Sequence, residues 1–119
     1  MDQYHVWCDL KDGSKDLEFV ARVDGWLGHL VAGGKIASYR LSRRKLGLGP
    51  KELGEFHILI ETRDMAQLDS AFAVAAARDG QAQKLHAGVY SMVTNLQFGL
   101  WRDFPDPMRA GSTTASPTL

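Results

Sequence analysis

The stretch EFHILIET, residues 55–62, sets the reading of the whole chain. Side chains alternate across an extended backbone, so Phe56, Ile58 and Ile60 fall on one side and His57, Leu59 and Glu61 on the other. The segment reads as a β-strand, with the turn-forming GLGPKELG (47–54) before it and Arg63-Asp64 after it. Its odd member is His57, an imidazole among large apolar side chains. YHVWCDL, residues 4–10, repeats the oddity with His5.

Working outward, QYHVWCD (3–9) is a first strand rich in aromatic and β-branched types. Ser14 is the expected N-cap of a helix, with Asp16 and Glu18 in its first turn, where the helix dipole favours acidic groups. Leu17, Val20, Val23, Leu27, Leu30 and Val31 recur at helical spacing, with Trp26 flanking them, and Gly33-Gly34 stops the helix. KIASYRLSRRKL (35–46) reads as a second strand and EFHILIET as the third. Asp64 then caps a second helix, with Gln67 in capping-box position. Met65, Leu68, Ala71, Phe72, Ala75 and Ala76 form its expected buried face, and Gly80 ends it. Residues 81–92 read as a short helix and a turn, and VTNLQFGLWRDF (93–104) as a fourth strand. The order β-α-β-β-α-β predicts an α+β, ferredoxin-like fold: one four-stranded antiparallel sheet in spatial order 4-1-3-2, both helices on one face. Residues 1–104 make one domain. From Pro105 the sequence PDPMRAGSTTASPTL has little to bury, so 105–119 is expected to be a flexible tail.

Composition narrows the function. The chain has 119 residues, 45% of them apolar, which suits a single domain with a real core. Lys plus Arg and Asp plus Glu both number 14, so the basic excess that neutralises phosphates is missing and nucleic acid is not an expected partner. RRK (43–45) reads as a solvated turn. No apolar run approaches the ~20 residues of a membrane span, and no signal peptide is visible. Cys8 is the only cysteine, so no intrachain disulfide forms; this fits a reducing cytoplasm and a buried, inert thiol. Neither a phosphate-binding loop nor a Gly-x-Ser-x-Gly nucleophile turn occurs.

Sorting each strand by face sharpens the oddity. Tyr4, Val6 and Cys8, Phe56, Ile58 and Ile60, Leu96, Phe98 and Leu100, and Tyr39 and Leu41 are assigned to the helix side. The opposite face then carries His5 and Trp7, His57, Leu59 and Glu61, Asn95, Gln97, Gly99 and Trp101, and Ser38 and Arg40. Fully burying one large apolar side chain is worth about 1.5–3 kcal/mol, so a face with two tryptophans and a leucine is expected to be covered. No further segment except the polar tail is available, so the expected cover is a second copy of the chain. His5 and His57 are the candidate acid–base groups, since a neutral imidazole can take a proton from an acidic phenol or carbon. Trp7 and Trp101 would wall a planar ligand, and Arg40, Glu61 and Gln97 would anchor it. The competing reading is structural: the histidines hydrogen-bond at a dimer interface and fix its register. Two histidines with Glu61 would also suit a metal, but no HxH or HxxE spacing supports one, and neither metal nor cofactor is expected.

The order of elements, the short segment before strand four and the mixed aromatic and polar open face resemble the dimeric α/β-barrel superfamily. YHVWCDL, EFHILIET and GLWRDFPDP resemble, more narrowly, an uncharacterised bacterial family of small ferredoxin-like proteins. The resemblance implies a homodimer with two sheets packed face to face. It also implies a range of activities, from cofactor-independent, monooxygenase-like enzymes of aromatic substrates to plain binding proteins, and fold alone does not choose among them. Haem-binding members use a histidine from the region of His86, which makes haem a further alternative.

Overall fold

The computed structural model describes residues 1–78 and 80–105. The strands are β1 (Asp2–Leu10), β2 (Ser38–Arg43), β3 (Phe56–Thr62) and β4 (Val93–Arg102); the helices are α1 (Asp16–Ala32), α2 (Met65–Ala76) and α3 (Gly80–Tyr90). The sheet runs β2-β3-β1-β4 with every neighbouring pair antiparallel, which is the expected ferredoxin-like order. The expected tail, from residue 106 on, lies outside the described residues. Among the described residues no helix is long and apolar enough to cross a membrane.

Several boundaries shift for identifiable reasons. Ser14 does not cap α1: it sits in a single 3₁₀ turn, Gly13–Lys15, where the Asp12 carboxylate accepts from the Ser14 amide at 3.0 Å and its hydroxyl at 2.7 Å. The buried stripe of α1 is Phe19, Val23, Trp26, Leu27 and Leu30. Leu17 is 81% exposed, and Val20 and Val31 also face outward. The two aromatics, with the most area to hide, turn the helix toward themselves; Phe19 meets Phe56 edge-on at 5.3 Å. Asp64 does cap α2, accepting from the Gln67 amide at 2.9 Å. Gln67 reaches back to the Arg63 amide (2.7 Å) and donates to the Gly34 carbonyl (3.1 Å), which ties α2 to the end of α1. α2 stops at Ala76, and Gly80, at φ +75°, opens an eleven-residue helix rather than closing the previous one.

The core lies between the sheet and the helices, with Cys8, Phe19, Val23, Leu27, Phe56 and Ile58 at its centre. α1 and α2 pack over β2 and β3. The helix-side residues of the edge strand β4 are therefore left partly bare: Phe98 is 56% and Leu100 50% exposed, against the expectation of burial. β4 also carries an irregularity. Its register with β1 shifts between Trp7 and Asp9, and Asn95 adopts φ +54°. Strict alternation back from Leu96 puts Val93 on the open face; the bulge returns it to the core. Asn95 is left donating to the Asp9 carboxylate at 3.0 Å.

Candidate functional site

The registers arrange the open face into three cross-strand rows. Trp101, Gln3, Glu61 and Ser38 form the first, Gly99, His5, Leu59 and Arg40 the second, and Gln97, Trp7, His57 and Ser42 the third. His5 and His57 are thus diagonal neighbours on adjacent strands, within reach of long side chains. Their rings meet: His5 Nδ1 and His57 Nε2 are 2.9 Å apart and share one hydrogen bond. Trp7 lies nearly parallel to both, with centroids 5.4 Å from His5 and 5.1 Å from His57. Trp101 stands edge-on, 5.0 Å from His5 and 6.4 Å from Trp7.

The pair has a definite hydrogen-bonding character. In one neutral arrangement His5 Nδ1 donates, leaving His5 Nε2 an acceptor and His57 Nδ1 a donor. In the other, His57 Nε2 donates and the outer roles exchange. Either way the pair presents one donor and one acceptor, and no described residue hydrogen-bonds either outer nitrogen. Partial burial pushes the basicity of both rings below the usual imidazole range, and charge on His5 pushes His57 down further. At neutral pH both rings are therefore uncharged and able to accept a proton.

The remaining candidates divide. Trp7 and Trp101 join the histidines, and Trp101 stays 57% exposed. Arg40 is in the His5 row, exposed, and makes no hydrogen bond or ion pair among the described residues. Glu61 is two rows from His57 and accepts from the Ser38 hydroxyl at 3.3 Å, so the two histidines and this carboxylate do not converge on one point. Gln97 donates to the Glu52 carbonyl at 2.6 Å. That contact reveals a feature the sequence reading passed over: the connection between β2 and β3 folds back along one end of the open face. Pro50 and Leu53 line a small pocket there with Trp7 and His57. Arg44 Nη2 holds the connection shut by donating to the carbonyls of Pro50 (2.8 Å) and Leu53 (2.7 Å). Gly54 lets it press against β1, since a Cβ there would overlap the Cys8 carbonyl. An arginine just ahead of a Gly- and Pro-rich loop, whose carbonyls lack strand partners, was the available signal. Cys8 itself is fully buried, and burial beside Asp9 pushes its thiol up to about 11, so it stays protonated and inert.

A family model matches residues 1–115 of the sequence. The chain belongs to DUF6614, a family of unknown function. No curated protein matches this DUF6614 chain. Solved structures do. A dimeric ferredoxin-like protein of unknown function from Jannaschia shares 14% identity at a TM-score of 0.61, over 86% of this chain and 99% of that one. A dimeric protein of unknown function with a ferredoxin-like fold from Bacteroides fragilis shares 12% identity at 0.57, over 84% and 93%. HapK from Hahella chejuensis shares 14% identity at 0.60, over 98% and 100%. Identities this low establish the common fold and leave the chemistry of the DUF6614 site to its own residues.

Proposed function

We propose that this DUF6614 protein is a homodimer whose open sheet faces pack against each other, and that its His–Trp cluster binds a small planar molecule without a cofactor. The observation that carries this reading is the 2.9 Å bond between His5 and His57 inside a wall of two tryptophans. The outer nitrogens suit a ligand with a hydroxyl or amide edge, and the indoles suit its ring faces. Because the pair is neutral, it can also take a proton from a phenolic ligand and spread the charge over two rings, as a monooxygenase-like reaction on an aromatic substrate needs. Dimerisation supplies the cover that Trp101 lacks in one chain, and similar solved proteins are described as dimeric. Arg40, in the His5 row and without a hydrogen bond or ion pair among the described residues, suits an anionic substituent. The lone buried thiol fits a cytoplasmic setting.

A second reading is favoured by the same bond. The histidines already satisfy one nitrogen of each other, so a partner surface that pairs the remaining donor and acceptor buries them at little cost, and their role would then be register alone. Native mass spectrometry followed by titration with 2-naphthol, read by tryptophan fluorescence, separates the two. A dimer with saturable quenching that His57→Phe removes supports binding. A dimer that does not respond supports the register role. A monomer defeats both.

A further inference from the structure

The other face of the sheet holds a second feature. Between β1, β3 and β4 and the three helices lies a cavity of about 260 Å³. Carbon atoms dominate its walls, with Leu27 and Leu30 on one side and Ile58 and Ile60 on the other. Its mouth is aromatic: Phe72, Tyr90 and Phe98 all line it and are all exposed. Tyr4 stands just inside, edge-on to Phe72 at 5.2 Å and nearly parallel to Phe98 at 6.0 Å. His86 enters from α3, braced by Trp26 at 5.1 Å and Tyr90 at 5.8 Å. Neither the Tyr4 hydroxyl nor the His86 ring hydrogen-bonds any described residue.

Three physical points make this more than slack packing. A void of this size costs the native state in proportion to its volume, and larger side chains at Ala71 and Ala75, which line it, would close it. Second, the walls are mostly apolar and the mouth is exposed, so an apolar ligand that covers them removes apolar surface from water. Third, the half-buried Tyr4 hydroxyl and His86 ring border these mostly carbon walls and mark where a ligand's polar atom would sit. Burial holds His86 neutral and the Tyr4 phenol protonated, so the site carries no charge to attract an ion.

We infer that this cavity is a binding site for a neutral, mostly apolar molecule with one hydrogen-bonding group, entering through the Phe72–Tyr90–Phe98 mouth and held by His86. Scaling from a ~150 Å³ cavity that takes benzene, its occupant has about ten non-hydrogen atoms. This site is separate from the His5–His57 cluster and does not depend on that reading.

The test is NMR on the full methyl-labelled chain titrated with 4-tert-butylphenol, a branched probe that a slot between parallel rings does not admit. The expected result is saturable binding with probe contacts to the methyls of Leu27 and Ile58. His86→Phe should weaken it about tenfold, the worth of one hydrogen bond to a buried polar group. Ala75→Phe should abolish it by filling the space, with the amide fingerprint reporting that the fold persists. Should that variant not fold, His86→Phe and Tyr4→Phe carry the test. The inference is overturned by no saturable shift up to the solubility of the probe, by contacts only to residues of the open face, or by an affinity that these substitutions leave unchanged.

Discussion

Replacing Gly99 with alanine tests the geometry of the His–Trp cluster most directly. Gly99 pairs with His5 across the β1–β4 ladder, and the Trp101 ring folds back along β4 to cover it. A Cβ at position 99 would overlap Trp101 Cζ3 outright and lie 3.1 Å from both Cε3 and Cη2. The ring has to leave, and it can, because it is 57% exposed. It then forfeits its edge contacts with His5 and Trp7, each worth about 0.5–1.5 kcal/mol. Alanine returns about 0.5–1 kcal/mol by stiffening the unfolded chain. Gly99 does not have positive φ, so no backbone strain is added. The net loss is about 0–2.5 kcal/mol, centred on about 1, a drop in melting temperature of up to roughly 10 °C for a domain of this size. Near-UV circular dichroism should lose the coupled tryptophan signal at the same time, and sedimentation should show a weaker dimer, because the displaced ring projects from the face a partner would occupy. An unchanged near-UV spectrum with an unchanged melt would refute the placement of Trp101 over Gly99. A loss above about 4 kcal/mol would show that the glycine serves the backbone instead.

Other expectations follow from the same coordinates. Gly54→Ala places a Cβ onto the Cys8 carbonyl group and 2.7 Å from its Cα, all backbone atoms that cannot swing aside, so it should cost more than about 3 kcal/mol; a urea midpoint equal to the parent's would contradict the close approach. Asp64→Ala removes the cap of α2 and should cost about 0.5–2 kcal/mol in the same assay, whereas Asp64→Asn, which keeps an acceptor, should cost little. Stability should also fall in mild acid. Burial holds His5, His57 and His86 below their ordinary basicity in the folded chain. Unfolded imidazoles take up protons near about pH 6.5, so the unfolded chain binds more protons below that point. The stability these groups contribute is present above it and is lost as pH falls toward their folded values. The urea midpoint should therefore be lower at about pH 5 than at about pH 7.5, by less in a His5→Gln, His57→Gln double variant; an equal loss in both proteins would remove the pair from the account.

The fold was legible because period-two alternation is strong in β1 and β3, where Tyr4, Val6 and Cys8 and Phe56, Ile58 and Ile60 leave one phase open. That phase puts His5, His57, Trp7 and Trp101 on one face, but which of them meet depends on the strand register, which alternation does not record. What escaped the sequence depended on distant parts of the chain. The buried side of α1 was set by the bulk of Phe19 and Trp26 rather than by a count of aliphatics. The bulge at Asn95 is a local break in alternation, invisible to a rule that assumes none. The bare helix-side surface of β4 comes from where the helices lie on the sheet, and no window of β4 records that. The Arg44-clasped loop needed two carbonyls from residues six and nine positions away.

The two faces of the sheet solve opposite problems. On the open face, aliphatic residues in place of His5 and His57 would leave a sticky surface with no geometry of its own, and lone polar ones would lose their hydrogen bonds on being covered. A pair that bonds to itself lessens both problems: it has a geometry of its own, and only one donor and one acceptor, at its outer edge, need partners when another surface covers it. On the helix face Tyr4 and His86 border the cavity, and they hydrogen-bond neither each other nor any other described residue. Small residues at Ala71 and Ala75 keep space beside them. The helix-side cavity thus offers a small molecule apolar walls with Tyr4 and His86 at their border, and the histidine pair offers one donor and one acceptor to whatever covers the open face.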